Sequence, residues 1–212
     1  CFGEATRAAA SCDVAIAVMG IDKSIEREGQ DRYTMDLPID QREFLQEIYK
    51  ANPRTILVLV AGSSLSINWE KATLPAIIDA WYPGEQGGNA LAEALFGQYN
   101  PGGKLPLTFY ASIDDLPPFD DYSLTTGKGR TYQYFTGVPL YEFGYGLSYT
   151  TFKYRNLKAS SDDKTVSVKF DVTNAVKRDG DEVVQLYGRY PETGTHMPIK
   201  QLKAFRRLSL AK

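Results

Sequence analysis

Histidine occurs once in this chain of 212 residues and cysteine twice, and these shortages remove whole classes of chemistry at the outset. His196 sits in the loop-like run Thr193-Gly-Thr-His-Met-Pro198, with no clustered cysteine or carboxylate, so a zinc site is not expected. No serine stands in the sharp strand-to-helix context of a nucleophile elbow, which disfavours a Ser-His-Asp arrangement. Cys1 and Cys12 have no metal-ligand spacing, and two such residues say little about redox compartment. The formal net charge of −2 leaves no basic excess with which to grip nucleic-acid phosphates. No stretch approaches the ~18–20 apolar residues that a bilayer span requires, so neither nucleic acid nor membrane is an expected partner. A phosphate-cradling loop is also missing. The glycine-rich run Pro83-Gly-Glu-Gln-Gly-Gly88 lacks the Lys-Ser/Thr of a P-loop and is not G-x-G-x-x-G. The chain opens at Cys1 with no initiating Met and no signal-like segment, and reads as a piece of a longer polypeptide.

What is present is an alternation of strand and helix patterns over the first two thirds. Asp13 to Met19 is a short apolar run of buried-strand type. Asp40 to Ala51 has Phe44, Leu45 and Ile48 on one helical face, with Asp40 as the expected N-cap and Glu43 in capping-box position. Arg54 to Val60 is the clearest strand: β-branched and apolar on both faces, it calls for a parallel sheet covered on both sides. A helix is expected around Ala72–Ile77, a strand over Ala76–Trp81, a helix over Gln86–Phe96 and a final edge strand over Leu105–Phe109. This predicts an α/β sandwich, with a parallel-rich sheet between helices.

From about Ile113 to Pro139 the composition turns to loop, and aromatic residues crowd from Tyr122 to Tyr149. Their rings suit packing between domains better than sugar stacking, because a buried Tyr commonly pairs its hydroxyl. After Tyr149 the pattern is all-β. Strands are expected over Phe152–Ala159, Thr165–Val172, Glu182–Tyr187 and Lys203–Leu210, too few for a complete immunoglobulin-like sandwich. The expected organisation is residues 1–112 as the α/β domain, 113–149 as an aromatic connector and 150–212 as a truncated β domain. A free strand edge in that last part predicts self-association of the isolated chain.

The most informative stretch follows the first strand. Gly20-Ile-Asp-Lys-Ser-Ile-Glu26-Arg-Glu28-Gly-Gln-Asp31-Arg32 sets four acidic side chains and two arginines around a glycine. Open α/β sheets place their ligand chemistry at the carboxyl ends of parallel strands. Carboxyl groups crowded there are candidates for acid/base work.

Several collinear strings then match one known family. They are Gly20-Ile-Asp…Glu26-Arg-Glu28-Gly-Gln-Asp31-Arg32…Leu37-Pro38…Gln41, Trp81-Tyr-Pro-Gly-Glu-Gln-Gly-Gly88, Phe96-Gly-Gln-Tyr-Asn-Pro-Gly-Gly-Lys-Leu-Pro-Leu-Thr-Phe109, Pro139-Leu-Tyr-Glu-Phe-Gly-Tyr-Gly-Leu-Ser-Tyr149, and Asn174 with Arg178-Asp-Gly-Asp-Glu-Val-Val-Gln-Leu-Tyr187. On these the chain resembles the C-terminal portion of family 3 glycoside hydrolases, the β-xylosidases and β-glucosidases.

The resemblance implies an α/β sandwich followed by a fibronectin type III-like domain, and a retaining mechanism without metal or organic cofactor. It implies that the nucleophilic aspartate lies in an N-terminal barrel domain of the same polypeptide, which this sequence does not include. The family's Glu-Gly-x-Asp-Arg segment falls on Glu28 to Arg32, which makes Glu28 the expected general acid/base, with Glu26 as the alternative. Asp31 and Arg32 are expected to brace the loop or to contact substrate. The Gly-Ile-Asp-x-Ser-Ile-Glu-x-Glu pattern looks more like the β-xylosidase branch, and a β-linked xylo- or gluco-oligosaccharide is the expected substrate. A secreted or periplasmic location follows from the same resemblance. A carbohydrate-binding or interaction module that kept the fold without the chemistry is the alternative function.

Overall fold

The apolar run over 54–60 forms β2 (Thr55–Val60), in which Leu57, Val58 and Leu59 are all but completely buried. Parallel neighbours on both sides create that environment. β1 (Ala15–Gly20) runs in register from Ala15 opposite Thr55 to Gly20 opposite Val60. β3 (Ala76–Asp79) runs from Ala76 opposite Ile56 to Asp79 opposite Leu59. The sheet order is β1-β2-β3. The computed structural model describes residues 2–189 and 197–212, so the readings of Cys1 and His196 lie outside the described residues. The chain divides into two compact units, Cys1–Leu91 with Leu107–Glu142, and Ala92–Pro106 with Phe143–Lys212.

In the first unit the helices are α1 (Phe2–Ala10), α2 (Ile39–Ala51), α3 (Asn68–Thr73) and the start of α4 (Gly87–Leu95), which carries the chain onward into the second. α2 buries Leu45 and Ile48, and its Phe44 meets Phe2 of α1 edge to face at 4.9 Å. The capping box expected at Asp40 does not form. The helix begins one residue earlier, behind Pro38, whose carbonyl accepts the Arg42 N–H at 2.9 Å. Proline's fixed φ already supplies the extended cap, and Asp40 lies inside the first turn, where it still complements the helix dipole. α3 lies earlier than the expected 72–77, because Pro75 holds Leu74 extended (ψ 141°) and closes the helix.

Two further differences concern strands. β3 stops at Asp79, short of Trp81. Leu105–Phe109 adds no strand to the sheet: Phe109 alone makes an isolated antiparallel bridge to Tyr141. Pro106 has no N–H to give a ladder, which breaks the run before it starts. The 113–149 segment holds a 3₁₀ turn at Ile113–Asp115 and a single helical turn at Thr131–Tyr134. Part of its aromatic set packs within the first unit. Phe135 meets Tyr110 at 4.9 Å, and Phe109 lies between Trp81 and Tyr141, at 6.2 and 5.9 Å. Phe119 and Tyr122 remain exposed.

The second unit is antiparallel. β4 (Phe152–Ser161) pairs with β5 (Val166–Asn174), and β6 (Gly180–Gly188) pairs with β7 (Gln201–Leu210). Asp162 shapes the first turn by accepting the Lys164 and Thr165 N–H groups at 2.9 and 2.7 Å. Asn100 ties this unit together: its amide donates to Thr150 Oγ1 and Asp179 O, and its oxygen accepts from Ser148 Oγ and the Tyr149 N–H. Lys104 donates to Gly146 O at 2.6 Å and pairs with Glu182 at 3.3 Å. The fold is therefore a parallel sheet with helices, followed by antiparallel strands of fibronectin type III-like kind.

Candidate active site

The acidic loop begins where β1 ends. Gly20 is required there, since a Cβ would sit 1.7 Å from Val60 O. Its N–H donates to Gln41 Oε1 and its carbonyl accepts from Gln41 Nε2, both at 2.8 Å, so one α2 side chain clamps both sides of the peptide. Ile21, Met35 and Leu37 are buried and pin the two ends of the loop, while its charged middle stays outside.

That middle has a defined shape. Asp22 Oδ1 accepts from both the Ser24 hydroxyl and N–H, and these hydrogen bonds, the hydroxyl's first, hold its carboxyl below the ordinary carboxylate range. Asp22 O receives the N–H groups of Ile25 and Glu26, closing a turn. The chain then reverses at Arg27-Glu28-Gly29-Gln30, where Arg27 and Gln30 exchange both backbone hydrogen bonds, at 3.1 and 2.9 Å. Gly29 has φ +74°, the angle a tight turn of type II asks of its third residue. Glu28 therefore stands at the tip, exposed, with no ion pair or side-chain hydrogen bond among the described residues.

Glu26 is placed differently. The reversal brings Arg32 back alongside it, and Arg32 Nε donates to Glu26 Oε2 at 2.6 Å. Ser63 Oγ donates to the same oxygen at 2.6 Å and accepts from Arg32 Nη2 at 2.8 Å. Arg32 Nη2 also reaches Ser64 O at 3.0 Å, so the guanidinium bridges the loop after β1 to the loop after β2. Its Nη1 is buried and has no partner among the described residues. Arg32 thus pairs with Glu26, and Asp31 faces solvent.

A fifth carboxyl, Asp79, stands outside the loop, at the carboxyl end of β3. Its Oδ1 accepts the Trp81 N–H at 3.4 Å, and its Oδ2 is buried without a partner among the described residues. Burial pushes its pKa up to about 6, against the smaller opposing pull of the Trp81 N–H. Glu70 on α3 is buried more completely. Desolvation raises its pKa as well, but it faces the core. Among the described residues no group of His, Cys, Asp and Glu could hold a metal ion, and no helix is long and apolar enough to cross a membrane.

Sequence reasoning found the charged loop but neither the support that Gln41 and Ser63 give it nor the buried Asp79. The available signal was a polar pair, Ser63-Ser64, directly after the most strongly predicted strand, at the same sheet end as the acidic run. Chemically the arrangement offers one carboxylate fixed by a guanidinium and a hydroxyl, and one unpaired carboxyl two residues on.

Comparison with known proteins places the chain in a family. The family model for the glycosyl hydrolase family 3 C-terminal domain matches residues 2–149, and that for a fibronectin type III-like domain matches residues 182–212. The chain is 44% identical over 185 residues to a xylan 1,4-beta-xylosidase of Xylanibacter ruminicola, covering 86% of this chain and 21% of the relative. It is 37% identical over 221 residues to a periplasmic beta-glucosidase of Salmonella typhimurium, covering 98% and 29%. The crystal structure of a Kluyveromyces marxianus beta-glucosidase in complex with glucose superposes with a TM-score of 0.89 at 33% identity, covering 99% of this chain and 26% of that one. The chain thus spans between a fifth and a third of the length of these relatives. An acidic loop clamped at the carboxyl end of a parallel sheet, an antiparallel domain after it and these matches together show that the chain belongs to glycoside hydrolase family 3, as a C-terminal portion.

Proposed function

We propose that this chain is the part of a retaining exo-β-glycosidase that supplies the general acid/base, Glu28, to an active site completed by an N-terminal barrel domain of the same polypeptide. The observation that carries the reading is the Arg27–Gln30 reversal, which presents Glu28 unpaired at the carboxyl end of the parallel sheet. Residues 1–112 act as the acid/base domain, 113–149 as the connector and 150–212 as the β domain.

In the first step the protonated Glu28 gives its proton to the glycosidic oxygen as the bond to the anomeric carbon breaks. The barrel's aspartate attacks that carbon from the opposite face and forms a glycosyl ester. In the second step Glu28, now a carboxylate, takes a proton from water as the water oxygen attacks the anomeric carbon and releases the aspartate. Retaining chemistry needs the two carboxyl groups only ~5–5.5 Å apart, so the barrel must close over the Glu28 turn. That cover would also withdraw the exposed carboxyl from water, as a proton donor near neutral pH requires. Two carboxyl groups suffice, and no metal or organic cofactor is called for. The isolated chain, lacking the nucleophile, is expected to be inactive.

A second reading gives the acid/base role to Glu26, on a specific observation: it is held at 2.6 Å by both Arg32 and Ser63, the kind of fixation a positioned catalytic group has. Against it, one of its oxygens already serves two donors. The expected substrate is a β-xyloside, with a β-glucoside next, in keeping with the β-xylosidase and β-glucosidase names among the relatives. A secreted or periplasmic location fits the relative named as periplasmic. The test uses the full-length parent with 4-nitrophenyl β-xyloside and β-glucoside, comparing wild type with Glu28→Ala and Glu26→Ala, with and without azide. Loss of the acid/base group should lower turnover by about 10²–10⁴-fold, and azide should restore it only in the variant lacking that group.

A further inference from the structure

A carboxyl that moves protons must be held while it does so, and in this chain the holding begins at the root of the loop. The four main-chain polar groups of Gly20 and Ile21 are all engaged. Gln41 takes both groups of Gly20, and the Ile21 N–H donates to Val60 O at 3.0 Å. The fourth, Ile21 O, accepts from the Tyr82 hydroxyl at 3.1 Å, a partner 61 residues away in the segment after β3. The first three partners lie on α2 and β2, which pack on β1 in any case. The fourth exists only because the chain after β3 takes an unusual course.

That course is costly. Trp81 has φ +53°, a conformation that a bulky non-glycine residue rarely adopts. Strain of this kind persists where surrounding contacts over-determine it, and it gathers at functional places. Here Asp79 Oδ1 accepts the Trp81 N–H, and the indole packs edge to face against Phe109. The effect is to turn Tyr82 back across the sheet end. Its ring then lies so close over Gly62 that a Cβ there would meet Tyr82 Cε2 at 2.4 Å. Gly62 directly precedes Ser63, the hydroxyl that bridges Glu26 and Arg32. Tyr82 therefore bears on the acidic loop directly and through a neighbour: its hydroxyl grips the root, and its ring lies over Gly62, next to the Ser63 that bridges Glu26 and Arg32.

We propose that Tyr82 is a positioning residue for the acid/base loop, fixing through its hydroxyl and ring the loop that carries Glu28 and Glu26. This rests on the proposed glycosidase function. It adds a residue that touches neither carboxyl yet governs how well the proton donor meets the leaving oxygen. A proton donor matters most when the leaving group is poor and least when the leaving group departs unaided. A loosened loop should therefore cost activity in proportion to the leaving group's need for a proton.

The experiment is Tyr82→Phe in the full-length parent, which keeps the ring over Gly62 and removes the hydroxyl. Two readouts are taken: kcat/KM across aryl glycosides of graded leaving-group pKa, and amide hydrogen exchange of the 21–32 segment. One lost hydrogen bond corresponds to a change of about five- to tenfold. Exchange over 21–32 should accelerate by about that factor, with the amides of β2 unchanged. kcat/KM should fall by about the same factor for the poorest leaving group and by less than about twofold for 2,4-dinitrophenyl. An equal loss for every leaving group would mean a structural role only and would overturn the proposal, as would unchanged exchange over 21–32. If the wild-type parent hydrolyses no glycoside, the function reading fails on that result, and the proposal built on it falls too. The exchange data would then still report whether the Tyr82 tie is real.

Discussion

Replacing Asp79 by Asn should change how the stability of the first unit depends on pH. The Asp79 carboxyl is half-buried, one oxygen has no partner among the described residues, and burial lifts its pKa to about 6. In the unfolded chain it would titrate near ~3.9. Because the folded value is the higher one, the folded state binds this proton more tightly than the unfolded state between about pH 4 and 6. The contribution of Asp79 to stability is therefore greatest below about pH 4, falls as pH rises through that window, and levels off above about pH 6. Two powers of ten in proton affinity correspond to about 3 kcal/mol, and solvent screening of a partly exposed group reduces this to about 2 kcal/mol. Asn keeps an acceptor for the Trp81 N–H and abolishes the charge. Both tryptophans, Trp69 and Trp81, lie in the first unit, so urea unfolding followed by indole fluorescence reports on it. Wild type should lose about 2 kcal/mol between pH 4 and 7 relative to Asp79→Asn. Other titrating groups, Glu70 among them, are common to both proteins and cancel. Parallel stability curves across this range would refute the reasoning.

Other consequences follow from the same contacts. Gln41→Ala removes both hydrogen bonds to Gly20 at the root of the loop, and should destabilise the first unit by about 2–3 kcal/mol in the same urea assay. A loss below about 0.5 kcal/mol would mean that water replaces the clamp without cost. β1 is an edge strand with Ile16 46% and Val18 62% exposed, and apolar edges recruit other strands. The isolated chain should self-associate at high concentration in light scattering, and Val18→Lys should shift it toward monomer. A monodisperse wild-type monomer would contradict this.

The α/β half was legible because its strongest signal was physical and local. An apolar, β-branched run such as Thr55–Val60 needs cover on both faces, and that implies parallel partners and helices without knowledge of either. The errors lie where one residue's geometry overrode a pattern. Pro38 displaced the Asp40 cap, Pro75 moved α3 forward, and Pro106 prevented a strand at Leu105–Phe109. At the candidate site the charges were visible as a cluster, but their pairing was not. Arg32 meets Glu26, six residues away, only because the Glu28-Gly29 turn folds the loop back on itself. The supports come from farther still, with Gln41, Ser63 and Tyr82 brought to the loop by the sheet. No spacing rule encodes such contacts, because register between strands sets them.

In the proposed function Glu28 exchanges the proton in both steps of a retaining hydrolysis. The most direct test is azide rescue of Glu28→Ala in the full-length parent on an activated 4-nitrophenyl glycoside, with the product's anomeric configuration determined. Azide attacks the glycosyl ester without base assistance, so turnover should be restored with a β-glycosyl azide as product, and Glu26→Ala should not be rescued. Rescue of Glu26→Ala instead, or a Glu28→Ala enzyme of undiminished activity, would contradict that role for Glu28.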